Sequence, residues 1–200
     1  MQILGCQCIE VKTYITKKPL VIDSSDFSTI KKKFHYESID SPRIFLGGLT
    51  PRPQMAEVRS FKYKDSCMGL SEGMRVCYSS LIVKLNGRLV LINTEEKFKK
   101  IFTPIENEEK ALSYVAYLTH TYPIYDFGDT TGYRVFASHL PLTYSKRVSG
   151  GFEVLLHQRN IFKSNTNYFI IFRVTEKGRI TVLNKVKLFE DPKEDSMVYD

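Results

Sequence analysis

Tryptophan is absent from this chain, cysteine occurs four times in 200 residues, and no stretch reaches the ~18 apolar residues a membrane-crossing helix needs. No segment therefore reads as a bilayer-spanning helix. Several motifs with fixed chemistry are also missing. The chain has no G-x-S-x-G nucleophile elbow, no H-E-x-x-H zinc pair, no G-x-x-x-x-G-K-S/T phosphate loop and no G-x-G-x-x-G dinucleotide fingerprint. Its four histidines, His35, His120, His139 and His157, are scattered, with no two at ligand spacing on a helix or strand. Neither a metal nor a cofactor is expected on these grounds, and no residue stands out as catalytic.

The cysteines are Cys6, Cys8, Cys67 and Cys77. An even count fits two disulfides or four thiols in a reducing compartment. Cys67 and Cys77 are too far apart for the C-x₂₋₄-C spacing of a zinc site. They bracket a loop holding Gly69 and Gly73, which suits a hairpin clasped by a disulfide. Closing such a loop contributes ~2–3 kcal/mol in the chain-entropy picture. Free thiols are the alternative.

What the chain has is β-forming apolar material. Hydrophobic residues make up 42%, and thirteen Phe and twelve Tyr supply the aromatics, a composition at home in strands. The most legible region runs from Gly151 to Phe189. Phe152-Glu153-Val154-Leu155-Leu156, Tyr168 to Val174 and Ile180 to Phe189 read as three strands of an antiparallel meander. Gly178 supplies the positive φ that the turn Thr175–Arg179 requires. In the last strand, alternation predicts Ile180, Val182, Val186 and Leu188 on a buried face and Thr181, Lys185 and Lys187 on a wet one.

Upstream, Val76–Val83 and Leu89–Ile92 flank Lys84-Leu85-Asn86-Gly87-Arg88, and Asn-Gly is the favoured pair for a type I′ hairpin turn. The period then changes. Asn93 with Glu96 reads as a capping box opening a short helix to Phe102, which Thr103-Pro104 interrupts. Asn107 caps a second helix whose first turn holds Glu108 and Glu109, with Ala111, Leu112, Val115 and Leu118 as its apolar stripe. This helix is expected to pack on the meander.

Nearer the start, Ile9 to Ile22 reads as a strand broken at Lys17-Lys18-Pro19, and Asp23-Ser24-Ser25-Asp26 as a capping turn. Phe27, Ile30 and Phe34 line one side of a short helix. Ser38 to Gln54, with Pro42, Gly47, Gly48, Pro51 and Pro53, is expected to be a surface loop. Met55 to Tyr63 is a strand with Val58 and Phe61 as core candidates. Tyr122, Tyr125 and Phe127 form an aromatic, irregular stretch that reads as a cap on the core rather than a binding patch.

The formal charge is +7, unevenly spread: Lys31-Lys32-Lys33 is a basic run, while Glu190 to Asp200 is acidic. Such a balance suits either an anionic partner or a solvated surface. No aromatic platform or second basic cluster accompanies Lys31–Lys33, so a wet helix face is favoured over nucleic acid there.

Ile3-Leu4-Gly5-Cys6 resembles the lipobox of bacterial lipoproteins, in which a short apolar stretch precedes the lipid-modified cysteine. Thr103 to Tyr114, the last hairpin and its Glu190-Asp191-Pro192 exit are similar to uncharacterised bacterial extracytoplasmic proteins. The resemblance implies a helix-on-sheet domain outside the cytoplasm, with Cys6 as the lipidation candidate and no reaction to carry over.

The expected architecture is α+β: an antiparallel sheet of hairpins and a meander, with one or two short helices on one face. Residues 1–10 are expected to be a leader remnant or anchor, 11–190 one domain, and 191–200 an acidic tail. The expected role is a non-enzymatic cell-envelope domain that binds or assists a partner. The alternatives are a cytosolic basic protein that binds nucleic acid, and an enzyme with an unusual site in the tyrosine-rich loops.

Overall fold

A computed structural model describes residues 14–59, 69–70, 77–160 and 166–190. Cys6, Cys67, Ile9 and Phe61 lie outside these residues, as do the expected leader and acidic tail. Among the described residues, eleven strands form two largely antiparallel sheets, joined by three α-helices. The α+β reading holds, with the sheet material divided in two.

The first sheet comprises β1 (Leu20–Val21), β2 (Ser38–Asp40), β3 (Gln54–Arg59), β4 (Gly69–Leu70), β5 (Cys77–Leu85) and β6 (Arg88–Ile92). Strands β3 and β5 form its centre. β1 lies parallel to β3, and every other pairing is antiparallel. The β5–β6 hairpin turns on Asn86 and Gly87, both at positive φ (48° and 76°), as the type I′ reading requires. Cys77 opens β5, and its backbone pairs with Leu70, so the expected hairpin is present. The disulfide proposed across it rests on Cys67 and falls outside the described residues.

The three helices follow the expected capping chemistry unequally. Asp23 accepts from the Ser25 amide ahead of α1 (Phe27–Phe34), whose own N-cap, Asp26, makes no side-chain cap bond. α2 spans Glu95–Phe102, but its cap is Thr94, whose hydroxyl accepts from the Lys97 amide. Asn93, expected as the cap, instead accepts from the Lys97 amine through its side chain. α3 spans Glu108–Thr119, and Asn107 accepts from the Lys110 amide at 2.9 Å as expected.

The second sheet runs β7 (Arg134–Val135), β11 (Ile180–Glu190), β10 (Thr166–Val174), β9 (Gly151–Asn160), β8 (Tyr144–Val148). β9, β10 and β11 are the expected meander. β8 was not expected; it returns through Ser149-Gly150 to pair with β9, placing Tyr144 opposite Leu155. The alternation in β11 departs from its sequence pattern. Pairing skips Leu183 and Leu188, so two bulges shift the register. Lys185 and Lys187 stand opposite Ile170 and Tyr168, on the side of Val182, and Val186 faces the other way. Val182 is 57% exposed rather than buried, whereas Leu188 is fully buried.

One apolar cluster connects the layers. It runs from Met55, Leu81 and Val83 through Phe98 and Phe102 of α2 and Tyr114 and Tyr117 of α3 to Phe152, Val154 and Phe172. α3 packs on β8, β9 and β10 as expected, and Lys110 through Tyr117 are all buried, so it lacks a wet face. The opposite face of the first sheet holds Ala56, Val58 and Ile82 against Ile30 of α1. Residues 121–143 cross the outer side of the second sheet, where Phe127 meets His157 edge-on and Tyr133 stacks on Phe189. The aromatic stretch thus packs on the outer face of this sheet.

The expected surface loop is corrected most. Ile44–Gly48 is a 3₁₀ turn with Phe45, Leu46, Gly47 and Gly48 buried against α3. Two adjacent glycines allow this, because a side chain at either position would collide with backbone: Lys17 O at Gly47 and Glu109 O at Gly48.

Candidate functional site

The sequence of α2, Glu-Glu-Lys-Phe-Lys-Lys-Ile-Phe, sorts its side chains by helical period. Phe98 and Phe102, four apart, enter the core. Glu95 and Lys99 fall on one flank, Lys97 and Ile101 on the other, and Lys100 between them points outward. The helix therefore forms a rib whose outward crest carries Glu96 beside Lys97 and Lys100. A groove lies along each flank.

The first groove, about 300 Å³, separates α2 from the β10–β11 turn and the end of α3. Its charged lining is Glu95, Lys99, Lys177 and Arg179, so three cations face one carboxylate. Glu95 is committed to Lys99 at 3.0 Å, a surface pair of small energetic worth. Lys177 and Arg179 make no side-chain hydrogen bond or ion pair among the described residues. Two uncompensated cations therefore share one concavity with the groove's helix wall.

That turn is held rigidly. The Gly178 amide donates to Thr175 O at 2.8 Å, and the Arg179 amide donates to the Thr175 hydroxyl at 3.1 Å. From beneath, the Tyr114 hydroxyl donates to Gly178 O at 3.2 Å, and the Ile105 amide donates to Glu176 O at 2.8 Å. Burial, with the Glu95 carboxylate as a lesser contributor, holds the Tyr114 phenol protonated far above the ordinary tyrosine range. It remains a donor at any physiological pH. Lys177 and Arg179 thus project from a backbone whose position is fixed by the core.

The second groove, about 480 Å³, lies between α2 and the β5–β6 hairpin. Leu85, Val90 and Ile101 form an apolar floor continuous with the core, Pro51 closes one side, and Lys97 and Lys100 stand on the rim. Among the described residues, no acidic or aromatic side chain lines it.

The residues singled out by sequence are dispersed. Lys31, Lys32 and Lys33 sit in the last turn of α1, exposed, where cations complement the negative helix end. Asp126 and Asp129 accept from the amides of Gly128 and Thr131, stabilising their own turns. His157 is buried, with neither ring nitrogen hydrogen-bonded among the described residues, and burial pushes its imidazole down to about 4. Among the described residues, no group of three His, Cys, Asp or Glu side chains could hold a metal ion, and no helix is long and apolar enough to cross a membrane.

Sequence reasoning missed the α2 rib because it read residues 93–102 only for helix capping. The signal was present: Lys97, Lys99 and Lys100 alternate with Phe98 and Phe102, so the lysines must face outward once the phenylalanines face in. The contribution of Lys177 and Arg179, some 80 residues on, was not legible before the fold brought the turn alongside. No protein family, curated protein or solved structure matches the chain.

Proposed function

We propose that the protein is a non-catalytic binding module whose ligand is a compact anion received against α2. The carrying observation is the placement of Lys177 and Arg179, unpaired on an anchored turn, across a groove from Lys99. The packed backbone fixes where Lys177 and Arg179 start from, so only their side-chain rotamers remain to be ordered on binding. Among the described residues the groove has no aromatic side chain on which a base could stack, so a small polyanion suits it better than a nucleic-acid strand.

The reading places this module at the cell envelope, lipid-anchored through Cys6, on the support of Ile3-Leu4-Gly5-Cys6. Calorimetric titration with inorganic pyrophosphate tests the binding role. The wild type is expected to show a single saturable site, weakened at least about tenfold by the double substitution K177E/R179E. Equal affinity in the two proteins overturns the reading. Metabolic labelling with an alkyne fatty acid tests the anchor separately: label retained in Cys6→Ser contradicts it.

A further inference from the structure

The second groove differs from the first in chemistry, and its size limits what can occupy it. At about 480 Å³ it falls within the ~300–1,000 Å³ typical of small-molecule sites. A stable protein interface recruits roughly 20–30 residues a side, far more than this groove presents. Leu85, Val90 and Ile101 are half-buried and rest on the core, so the floor exists before any ligand arrives. Among the described residues, the charges at its rim are cationic. Lys97 is already engaged by Asn93 at 2.7 Å, while the amine of Lys100 has no partner among the described residues. An apolar trough with a cation at its rim complements a molecule that is apolar along its body and anionic at one end.

We propose that this groove binds a free, single-chain fatty carboxylate, its chain laid over Leu85, Val90 and Ile101 and its head group against Lys100. The chain displaces water from apolar surface that is otherwise half-exposed, which supplies most of the affinity. The carboxylate adds a charge-assisted hydrogen bond from Lys100, which fixes direction. This site lies on the opposite flank of α2 from the anion groove and does not depend on it. The two can succeed or fail separately.

The test uses the whole chain with ¹³C-labelled methyl groups, titrated with decanoate below its micelle-forming concentration and followed by NMR. Saturable shifts are expected at the methyls of Leu85, Val90 and Ile101. Decanol, with the same chain and no charge, is expected to bind about tenfold more weakly. Lys100→Glu is expected to weaken decanoate by a similar factor and to leave decanol unchanged; Lys100 is exposed, so the variant should fold normally. Pyrophosphate should leave these methyls in place even when it binds. The proposal is overturned if decanoate moves them without saturating, if decanol binds equally well, or if they shift with protein concentration alone, which would assign the groove to a second copy of the chain.

Discussion

The Ser113 hydroxyl and the Gly48 amide are joined by a 3.1 Å hydrogen bond that ties a 3₁₀ turn to the middle of α3. The same hydroxyl donates onward to Phe45 O, so one side chain satisfies two buried backbone groups of the turn. A Cβ at Gly48 would lie 2.4 Å from both the Ser113 hydroxyl and the Glu109 carbonyl oxygen. Gly48→Ala is therefore expected to lower stability by about 1–3 kcal/mol, as overpacking does. Ser113→Ala, which leaves the two backbone groups buried and unpaired, should cost a similar ~1–3 kcal/mol. Urea unfolding of both single variants and the double variant checks this, with costs less than additive because both break one contact.

Gly178 occupies a second close approach. Its φ is 79°, and a Cβ there would stand 2.3 Å from the Tyr114 hydroxyl. Gly178→Ala should destabilise by roughly 1–3 kcal/mol through backbone strain and this clash. Because Lys177 and Arg179 flank it, the variant should also lose pyrophosphate affinity at temperatures where it remains folded. Calorimetry on the folded variant separates the two effects.

His157 predicts a pH dependence. It is 1% exposed, and its imidazole titrates at about 4 in the folded protein against 6.5 ordinarily. Between those values the unfolded chain binds the extra proton, so acid favours unfolding. The contribution is fully present above 6.5 and is lost progressively as pH falls towards 4, amounting to about 3 kcal/mol by linkage. Asp40, held below its usual range by its Arg59 hydrogen bond, and Glu153, which burial raises but Lys146 and Tyr144 together bring lower, weaken the fold in acid as well. His157→Leu isolates the imidazole: the drop in urea midpoint between about pH 7 and pH 4.5 should shrink in the variant. An unchanged drop would show that the imidazole is hydrated in solution.

Lys110 is buried at the start of α3, with only a 3.5 Å contact to the exposed Glu106 carboxylate. Burial lowers its pKa, with Glu106 opposing, and a cation near a helix N-terminus is disfavoured. Lys110→Met keeps the volume and removes the charge, so stability at neutral pH should be unchanged or higher by up to ~1 kcal/mol. Thermal unfolding of the two proteins decides it.

Features governed by neighbours in sequence were legible in advance. Asn86-Gly87 specifies its turn through two positive φ values, Asn107 caps α3 through a side chain three residues from its donor, and the apolar runs of β9 and β10 mark buried strands. What escaped depends on distant partners. Gly47 and Gly48 look like breakers until α3 and Lys17 are placed against them. Leu183 and Leu188 give no local sign of the bulges that shift the register of β11, because a bulge is defined by the opposing strand. The first groove needs Lys99 and Arg179 together, a proximity that only the closed core creates.

An NMR map of backbone amides during pyrophosphate titration discriminates the α2 groove from a second basic cluster among the described residues, Lys31 to Lys33. Saturable shifts are expected at Lys99, Thr119 and Gly178, with the amides of Lys31, Lys32 and Lys33 unmoved. Shifts centred on α1, or spread evenly over both clusters, would contradict the anion site at α2.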